Sequence, residues 1–180
     1  VNNGNLLNFE ISDKFSVSIR LKVDDTAAYH SIINKLSTDA ALKGYEIIID
    51  INGNLYWALI ENASTINYIQ IKTDTAGYDD GKWHDVVATY NGIGSASGLE
   101  LYVDGILQSS TTVIDNSTTT ISNSGNLIFG GRTSNYFSGS LDEVSIWNKE
   151  LTPSEVSAIY AGNTQIDLKK TSMSSNLVGW

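Results

Sequence analysis

The segment FSVSIRLKV, from Phe15 to Val23, decides the fold class of this 180-residue chain. Apolar side chains occupy every second position, and serine, arginine or lysine stands between them. Successive side chains of a strand point to opposite faces of a sheet, so this alternation predicts a strand with one buried face and one hydrated face. The chain is therefore expected to be built of antiparallel β-sheet.

Segments with the same alternation extend along most of the chain and are separated by turn sequences. The further predicted strands are residues 29–34, 45–51, 55–60, 66–72, 83–90, 99–104, 127–130 and 141–147. The dipeptides Asn52-Gly53 and Asp104-Gly105 favour tight hairpins, because both residues of such a turn take positive φ. Short strands at this spacing are typical of a sandwich or a barrel.

One segment departs from the alternation and predicts a helix. In LTPSEVSAIYAG, residues 151–162, Thr152 and Glu155 form a capping box around Pro153, and Gly162 is a suitable stop. Residues 1–162 are therefore assigned to one domain. The polar residues 163–180 are expected to be a tail, a linker or a closing strand, and the Ser-, Thr- and Asn-rich residues 111–125 a long loop or a polar strand.

The composition limits the plausible functions. Twenty acidic and 11 basic residues give a net charge of −9, which argues against nucleic acids and anionic membranes, since both require clustered Lys and Arg. The chain has no cysteine, which excludes disulfides, thiolate metal sites and cysteine nucleophiles. It also has no apolar run of about 18 residues, so no membrane helix is predicted.

Six sequence blocks resemble laminin G-like domains of the concanavalin A-like lectin/glucanase superfamily, in the order found there. They are residues 15–23, 31–59, 80–92, 99–105, 126–131 and 137–160, and the last block also resembles the C-terminal block of pentraxins. The resemblance implies an all-β, two-sheet antiparallel jelly-roll sandwich, with the predicted helix as its one short C-terminal helix. It implies little about function, because this fold supports lectins, adhesion modules, glycosidases and structural virion domains.

The carboxylates do not follow the pattern of a glycosidase. Retaining chemistry needs two carboxyl groups about 5–5.5 Å apart. Glu46 and Asp50 share a strand face but are separated by roughly 13 Å, whereas the adjacent Asp142 and Glu143 point to opposite faces. His84, in KWHDVV, is interpreted as a packed strand histidine. The chain is therefore predicted not to be an enzyme.

The resemblance also implies a structural calcium ion. Many jelly rolls of this superfamily hold calcium through an aspartate at the start of the last strand, and the matching residue here is Asp142 in SLDEVSIW. The alternation places Asp142 on the core side with Val144 and Ile146, where a carboxylate needs a cation or hydrogen bonds. A hydrogen bond to nearby backbone is the alternative. Asp24 and Asp25 are further candidate ligands.

Aromatic residues beside polar groups are candidates for carbohydrate recognition. Tyr136 lies in GRTSNYF with Arg132 and Asn135, a polar and aromatic loop of the kind that recognition sites use. Tyr56 and Tyr68 are expected to face solvent on their strands. Ordinary surface or core packing is the alternative for each tyrosine. Three tryptophans are expected in the core instead: Trp57, Trp83 and Trp147.

These observations predict a non-catalytic binding module for a carbohydrate or protein ligand, with a structural calcium ion, in an extracellular or surface protein. The alternative is a structural domain of a larger virion or cell-surface assembly without glycan binding. In both cases the chain is expected to be part of a larger multidomain chain or assembly, and to act outside the cell, at a cell surface or at a virion surface. Neither nucleic acid binding nor membrane insertion is expected.

Overall fold

The computed structural model describes residues 7–24, 29–116, 118–132, 135–160, 171 and 173–179. These residues form two six-stranded antiparallel sheets, a two-stranded hairpin and one short α-helix. Apolar side chains of the two sheets meet in a common core. The predicted all-β jelly-roll sandwich with one short helix is confirmed.

The strand order within each sheet is not the order along the chain. The first sheet contains, in spatial order, β14 (Leu177–Gly179), β13 (Gly139–Trp147), β1 (Phe15–Val23), β6 (Trp83–Tyr90), β7 (Leu99–Val103) and β8 (Ile106–Leu107). The second contains β10 (Leu127–Phe129), β2 (His30–Leu36), β3 (Gly44–Ile49), β4 (Leu55–Asn62), β5 (Asn67–Thr73) and β9 (Ser110–Asp115). The hairpin consists of β11 (Gly131–Arg132) and β12 (Asn135–Tyr136).

The alternating residues of β1 lie at the centre of the core. Its five apolar side chains, from Phe15 to Val23, are at most 1% exposed. The Phe15 ring stacks on Phe9 with 4.3 Å between centroids and meets the Trp57 ring edge-on at 5.6 Å. Each fully buried side chain of this size contributes roughly 1.5–3 kcal/mol, so this one strand supplies a large part of the apolar burial.

The predicted helix is confirmed as α1 (Pro153–Tyr160). The capping box is formed, because the Thr152 amide donates to Glu155 Oε2 at 2.9 Å and the Glu155 amide donates to Thr152 Oγ1 at 3.4 Å. Val156 is fully buried in a cluster with Tyr102 and Trp147 on the outer side of the first sheet. Within the described residues, no helix has the length and apolar character needed to cross a bilayer.

Two segments whose structure the sequence left open contain strands. The Ser- and Thr-rich residues 111–125 contribute to β9, which pairs with β5 at one edge of the second sheet. Residues 177–179 form β14, which pairs with β13 at the edge of the first sheet. Leu7 Cδ2 lies 3.3 Å from the position that a Cβ atom would take on Gly179. The expected stop at Gly162 lies outside the described residues.

A β-bulge in β13 changes which residues face the core. Glu143 has a φ of 48°, and the register with β1 shifts by one residue beside the pair of Arg20 and Asp142. A bulge adds one residue to a strand, so the side chains before it change face relative to those after it. Leu141 and Val144 both pack against the core, whereas Asp142 is exposed. The prediction that Asp142 faces the core is therefore wrong.

The three tryptophans that the structure describes divide between the core and the surface. Trp57 and Trp147 are 0% exposed, as predicted, but Trp83 is 42% exposed, so its predicted place in the core is wrong. The reason is the alternation itself, because Val86 points into the core and Trp83, three residues earlier, points to the opposite face. The Arg20 guanidinium lies over the Trp83 ring, 5.8 Å from its centroid.

Candidate ligand-binding site

The outer face of the second sheet contains a cleft of about 210 Å³. It lies where β2 and β3 run side by side, and Ser31 pairs there with Ile48. The neighbouring residues Ile47 and Ile49 are fully buried in the core, so Ile48 and Glu46 point away from it. The lining residues are Tyr29, His30, Ser31, Glu46, Ile48 and Arg132.

An ion pair joins two of the lining residues. Glu46 is 5% exposed, and Arg132 Nη1 donates to both of its carboxylate oxygens at 2.8 Å. Burial raises the pKa of Glu46, and the Arg132 charge partly opposes this shift. A buried carboxylate is costly without such compensation, so the pair fixes the position of both side chains and has no net charge.

The β11–β12 hairpin, which supplies Arg132, is anchored to β2. Asn34 Nδ2, on β2, donates to the Gly131 carbonyl at 2.9 Å. His30 Nδ1 lies 2.5 Å from the Tyr136 carbonyl oxygen. The His30 ring is only 7% exposed, and its Nε2 atom is buried without a hydrogen-bond partner in the part of the chain that the structure describes. These contacts hold the hairpin beside the cleft.

Three tyrosines surround this part of the sheet face. Tyr29 is 47% exposed and Tyr136 is 69% exposed. The Tyr56 ring lies 6.3 Å from the Tyr29 ring, and the Tyr56 hydroxyl donates to Asp50 Oδ2 at 3.0 Å. Burial and the Asp50 carboxylate raise the pKa of Tyr56. Lys72 Nζ lies 5.9 Å from the centroid of the same ring. The site therefore combines exposed aromatic rings with paired polar groups.

The structure brings some of the sequence-predicted ligand-binding residues together. Arg132 lines the cleft, Tyr56 lies beside it, and Tyr136 is on the hairpin that carries Arg132. Asn135 is also on this hairpin, but its side chain lies outside the described residues. Tyr68 is not at the cleft. It pairs with Ile60 on β4, four residues beyond Tyr56, and belongs to a separate apolar cluster.

Sequence reasoning missed five lining residues as parts of a ligand site: Tyr29, His30, Ser31, Glu46 and Ile48. The signal for Ser31, Ile48 and Glu46 was the alternation of β2 and β3, which places these side chains on the face away from the core. No local pattern identifies the partner of Glu46, because Arg132 is 86 residues away in the sequence.

The two carboxylates considered for catalysis are each held by other groups. Glu46 is bound by Arg132. Asp50 Oδ1 accepts hydrogen bonds from the Asn52 and Asn54 amides, both at 2.9 Å, and its Oδ2 accepts from Tyr56. Neither carboxylate is arranged to work with the other as the acid and nucleophile of a glycosidase.

His84 lies at the end of the first sheet and not in the cleft. Its Nδ1 atom is 2.9 Å from Asp104 Oδ2, and its Nε2 atom is 3.2 Å from Asp80 Oδ1. The Tyr78 ring meets the imidazole edge-on at 5.5 Å. These contacts suit a histidine that holds the turns around the strand end in place.

The two described candidate calcium ligands, Asp142 and Asp24, do not converge. Asp142 is exposed, its Oδ1 accepts from the Glu143 amide at 2.9 Å, and its neighbour across the strand pair is the cation Arg20. Asp24 lies 3.8 Å from Lys22 Nζ, and Asp25 is outside the described residues. Within the described ranges, no group of three or more His, Asp or Glu is arranged to hold a metal. These residues do not fit a calcium site around Asp142, and calcium binding stays a prediction that calorimetric titration after chelation tests.

Comparison with known proteins gives one family and many similar folds. The family model Laminin_G_3, described as concanavalin A-like lectin/glucanases superfamily, matches residues 1–157. No curated protein sequence matches the chain. The similar solved structures include two toxin binding domains and a pentraxin from Limulus polyphemus.

These similarities differ in how much of each protein they cover. The binding domain of Paraclostridial Mosquitocidal Protein 1 has a TM-score of 0.64 and 22% identity, over 85% of this chain and 38% of that chain. The binding domain of botulinum neurotoxin DC in complex with SialylT has a TM-score of 0.60 and 18% identity, over 84% of this chain and 36% of that chain. The SAP-like Limulus pentraxin has a TM-score of 0.61 and 20% identity, over 84% and 71%. The chain therefore spans less than two fifths of these toxin domains.

Proposed function

Because this chain belongs to the Laminin_G_3 family of the concanavalin A-like lectin/glucanases superfamily, we propose that it is a non-catalytic binding module for a carbohydrate. The ligand binds in the cleft on the outer face of the second sheet. The observation that carries the proposal is the cleft itself, which is lined by the half-exposed Tyr29 and by the ion pair of Arg132 with the buried Glu46. An aromatic face beside a few fixed polar groups is the usual composition of a small-ligand site.

The size of the cleft favours a carbohydrate over a protein ligand. The cleft encloses about 210 Å³, which is space for a small group such as one sugar ring, whereas a protein partner is held by a wide contact surface of about 1,200–2,000 Å² and not by one small cleft. One of the similar toxin binding domains is in complex with the carbohydrate SialylT, which supports this ligand class. We further propose that the module acts outside the cell or at a cell or virion surface, as one part of a larger chain or assembly.

A glycan array probed with the chain tests the proposal, followed by calorimetric titration of the best ligand. Replacing Tyr29 by alanine removes the exposed ring and should weaken binding by about tenfold, equal to ~1.4 kcal/mol. The matched control is Tyr160→Ala, because Tyr160 is 45% exposed but lies on α1, outside the cleft. The control should bind like the unaltered chain.

A second outcome would reject carbohydrate binding. If no glycan on the array binds and titration at high sugar concentration gives no heat, the proposed function is wrong. The alternative, a structural domain of a larger assembly, is then the better description.

A further inference from the structure

We infer that the cleft binds an uncharged sugar unit at the end of a glycan and discriminates against acidic sugars. This inference rests on the proposed function and specifies its ligand class. It depends on two features of the described residues, the charge balance of the cleft and its size, and the net charge of the whole chain acts in the same direction.

The cation of the cleft is already engaged. Arg132 Nη1 lies 2.8 Å from both oxygens of Glu46, which is 5% exposed. A ligand carboxylate would have to compete with Glu46 for this guanidinium. If it succeeded, it would leave the buried Glu46 charge without its partner, which is strongly unfavourable. A hydroxyl group requires no such exchange.

The polar groups beside the cleft are balanced in the same way. Tyr56 donates its hydroxyl to Asp50 at 3.0 Å, and Lys72 Nζ lies 5.9 Å from the centroid of the Tyr56 ring. One anion and one cation therefore approach the same tyrosine. An acidic sugar that approached Lys72 would also approach Asp50, so this neighbourhood offers an anion little net attraction.

Hydrogen-bonding capacity remains for sugar hydroxyls. Among the described residues, the hydrogen bonds to Glu46 all come from Arg132. A carboxylate accepts about four hydrogen bonds, so Glu46 can accept further bonds from ligand hydroxyls. The exposed Tyr29 ring offers an apolar surface to one face of the sugar.

The size and the net charge point to the same ligand class. Sites for drug-sized molecules are about 300–1,000 Å³, and this cleft is smaller, at about 210 Å³. One terminal sugar ring suits that volume better than a longer internal segment. The net charge of −9 repels anions at long range.

Calorimetric titration with matched sugar pairs tests the inference. Methyl glucoside and methyl glucuronide differ only in the carboxylate at C6, and methyl galactoside and methyl galacturonide form a second pair. In at least one pair, the neutral member should bind about tenfold more tightly. This preference should persist at high salt, because buried charges are screened little.

The variant Glu46→Gln provides a second test. It keeps the shape of the side chain but removes its charge, which releases the Arg132 cation for a ligand. The preference should then shift by about tenfold toward the acidic member. The matched control is Glu150→Gln, which changes the net charge equally at a carboxylate bound to Lys14 and remote from the cleft. Circular dichroism shows whether each variant is folded, and the pairs titrated on the unaltered chain give a result that does not depend on either variant.

The possible failures are distinguishable. If an acidic sugar binds as tightly as its neutral counterpart, the inference is wrong and carbohydrate binding stands. If the preference disappears at high salt, the net charge and not the ion pair produces it, and the inference is also wrong. If no sugar or glycan binds at all, the proposed function fails with it.

Discussion

Arg132 stands 86 residues from Glu46 in the sequence, yet one guanidinium nitrogen lies 2.8 Å from both oxygens of the carboxylate. Each residue was visible in the sequence separately, Arg132 as a cation in a polar loop and Glu46 as a carboxylate that shares a strand face with Asp50. Their pairing was not predictable, because nothing local to either residue reports on the other. The charge balance of the cleft therefore had to come from the structure.

At the residue scale we predict that Arg132→Ala destabilises the chain. The substitution leaves Glu46 buried without its counter-ion, and breaking a buried pair costs about 3–5 kcal/mol. We expect the lower end, about 3 kcal/mol, because the Arg132 side chain is 30% exposed. The free energy of unfolding in urea measures this loss at about pH 7.

The same variant should show a pH dependence of known sign. Burial raises the pKa of folded Glu46 above its ordinary value of 4.5, and loss of Arg132 raises it further. The folded state then binds more protons than the unfolded state, so stability falls as the pH rises from the unfolded to the folded pKa. The difference in the free energy of unfolding between Arg132→Ala and the unaltered chain should therefore shrink toward about pH 4. The control Lys14→Ala breaks an exposed pair and should cost no more than about 1 kcal/mol. An equal deficit at both pH values would contradict this prediction.

At the scale of single elements, regular alternation was a reliable guide. The strand β1 has the predicted bounds because its apolar positions alternate without interruption, and β6 also has the predicted bounds although Val86, Val87 and Ala88 are consecutive. The same rule, applied to β6, places Trp83 outside, and the expectation of a core tryptophan ignored it. The error at Asp142 has another origin, since a bulge adds a residue without disturbing the local pattern of side chains.

The bulge leads to a prediction about Glu143. A non-glycine residue with a φ of 48° is strained, by about 1–2 kcal/mol in the left-handed region. Glu143→Gly should therefore keep or raise the free energy of unfolding, by up to about 1 kcal/mol. In contrast, Ser140→Gly in the regular part of β13 should lower it by about 0.5–1 kcal/mol. Urea unfolding of both variants measures the difference. Equal losses in the two variants would show that the bulge is not strained in solution.

At the scale of the whole molecule, the sandwich was predictable and the cleft was not. The sandwich follows from the number, spacing and amphipathic character of the strands, all of which are local properties. The cleft depends on the place where the β11–β12 hairpin meets β2 and β3. That meeting is determined by long-range contacts such as the one between Asn34 and the Gly131 carbonyl.

The end of the chain supplies the prediction at this scale. Met173 is 2% exposed in the cluster that covers Trp147, and β14 pairs with β13. A chain that ends at residue 162 lacks Met173 and β14. Its free energy of unfolding should be lower by at least about 2 kcal/mol, because burying one Met side chain contributes roughly 1.5–3 kcal/mol. Urea unfolding followed by tryptophan fluorescence measures this loss. Met173→Ala in the full chain should reproduce part of it. Equal stability of the short and full chains would show that residues 1–162 are a complete folding unit.

The contact between Leu7 and Gly179 brings the first described residue of the chain beside β14, its last described strand. A short peptide linker between these points would close the backbone into a ring without moving a strand. The ring could then be opened at the Asn52-Gly53 turn to give a circular permutant. The same proximity would suit insertion of residues 7–179 into a surface loop of a host protein, since both connections to the host would start from neighbouring positions.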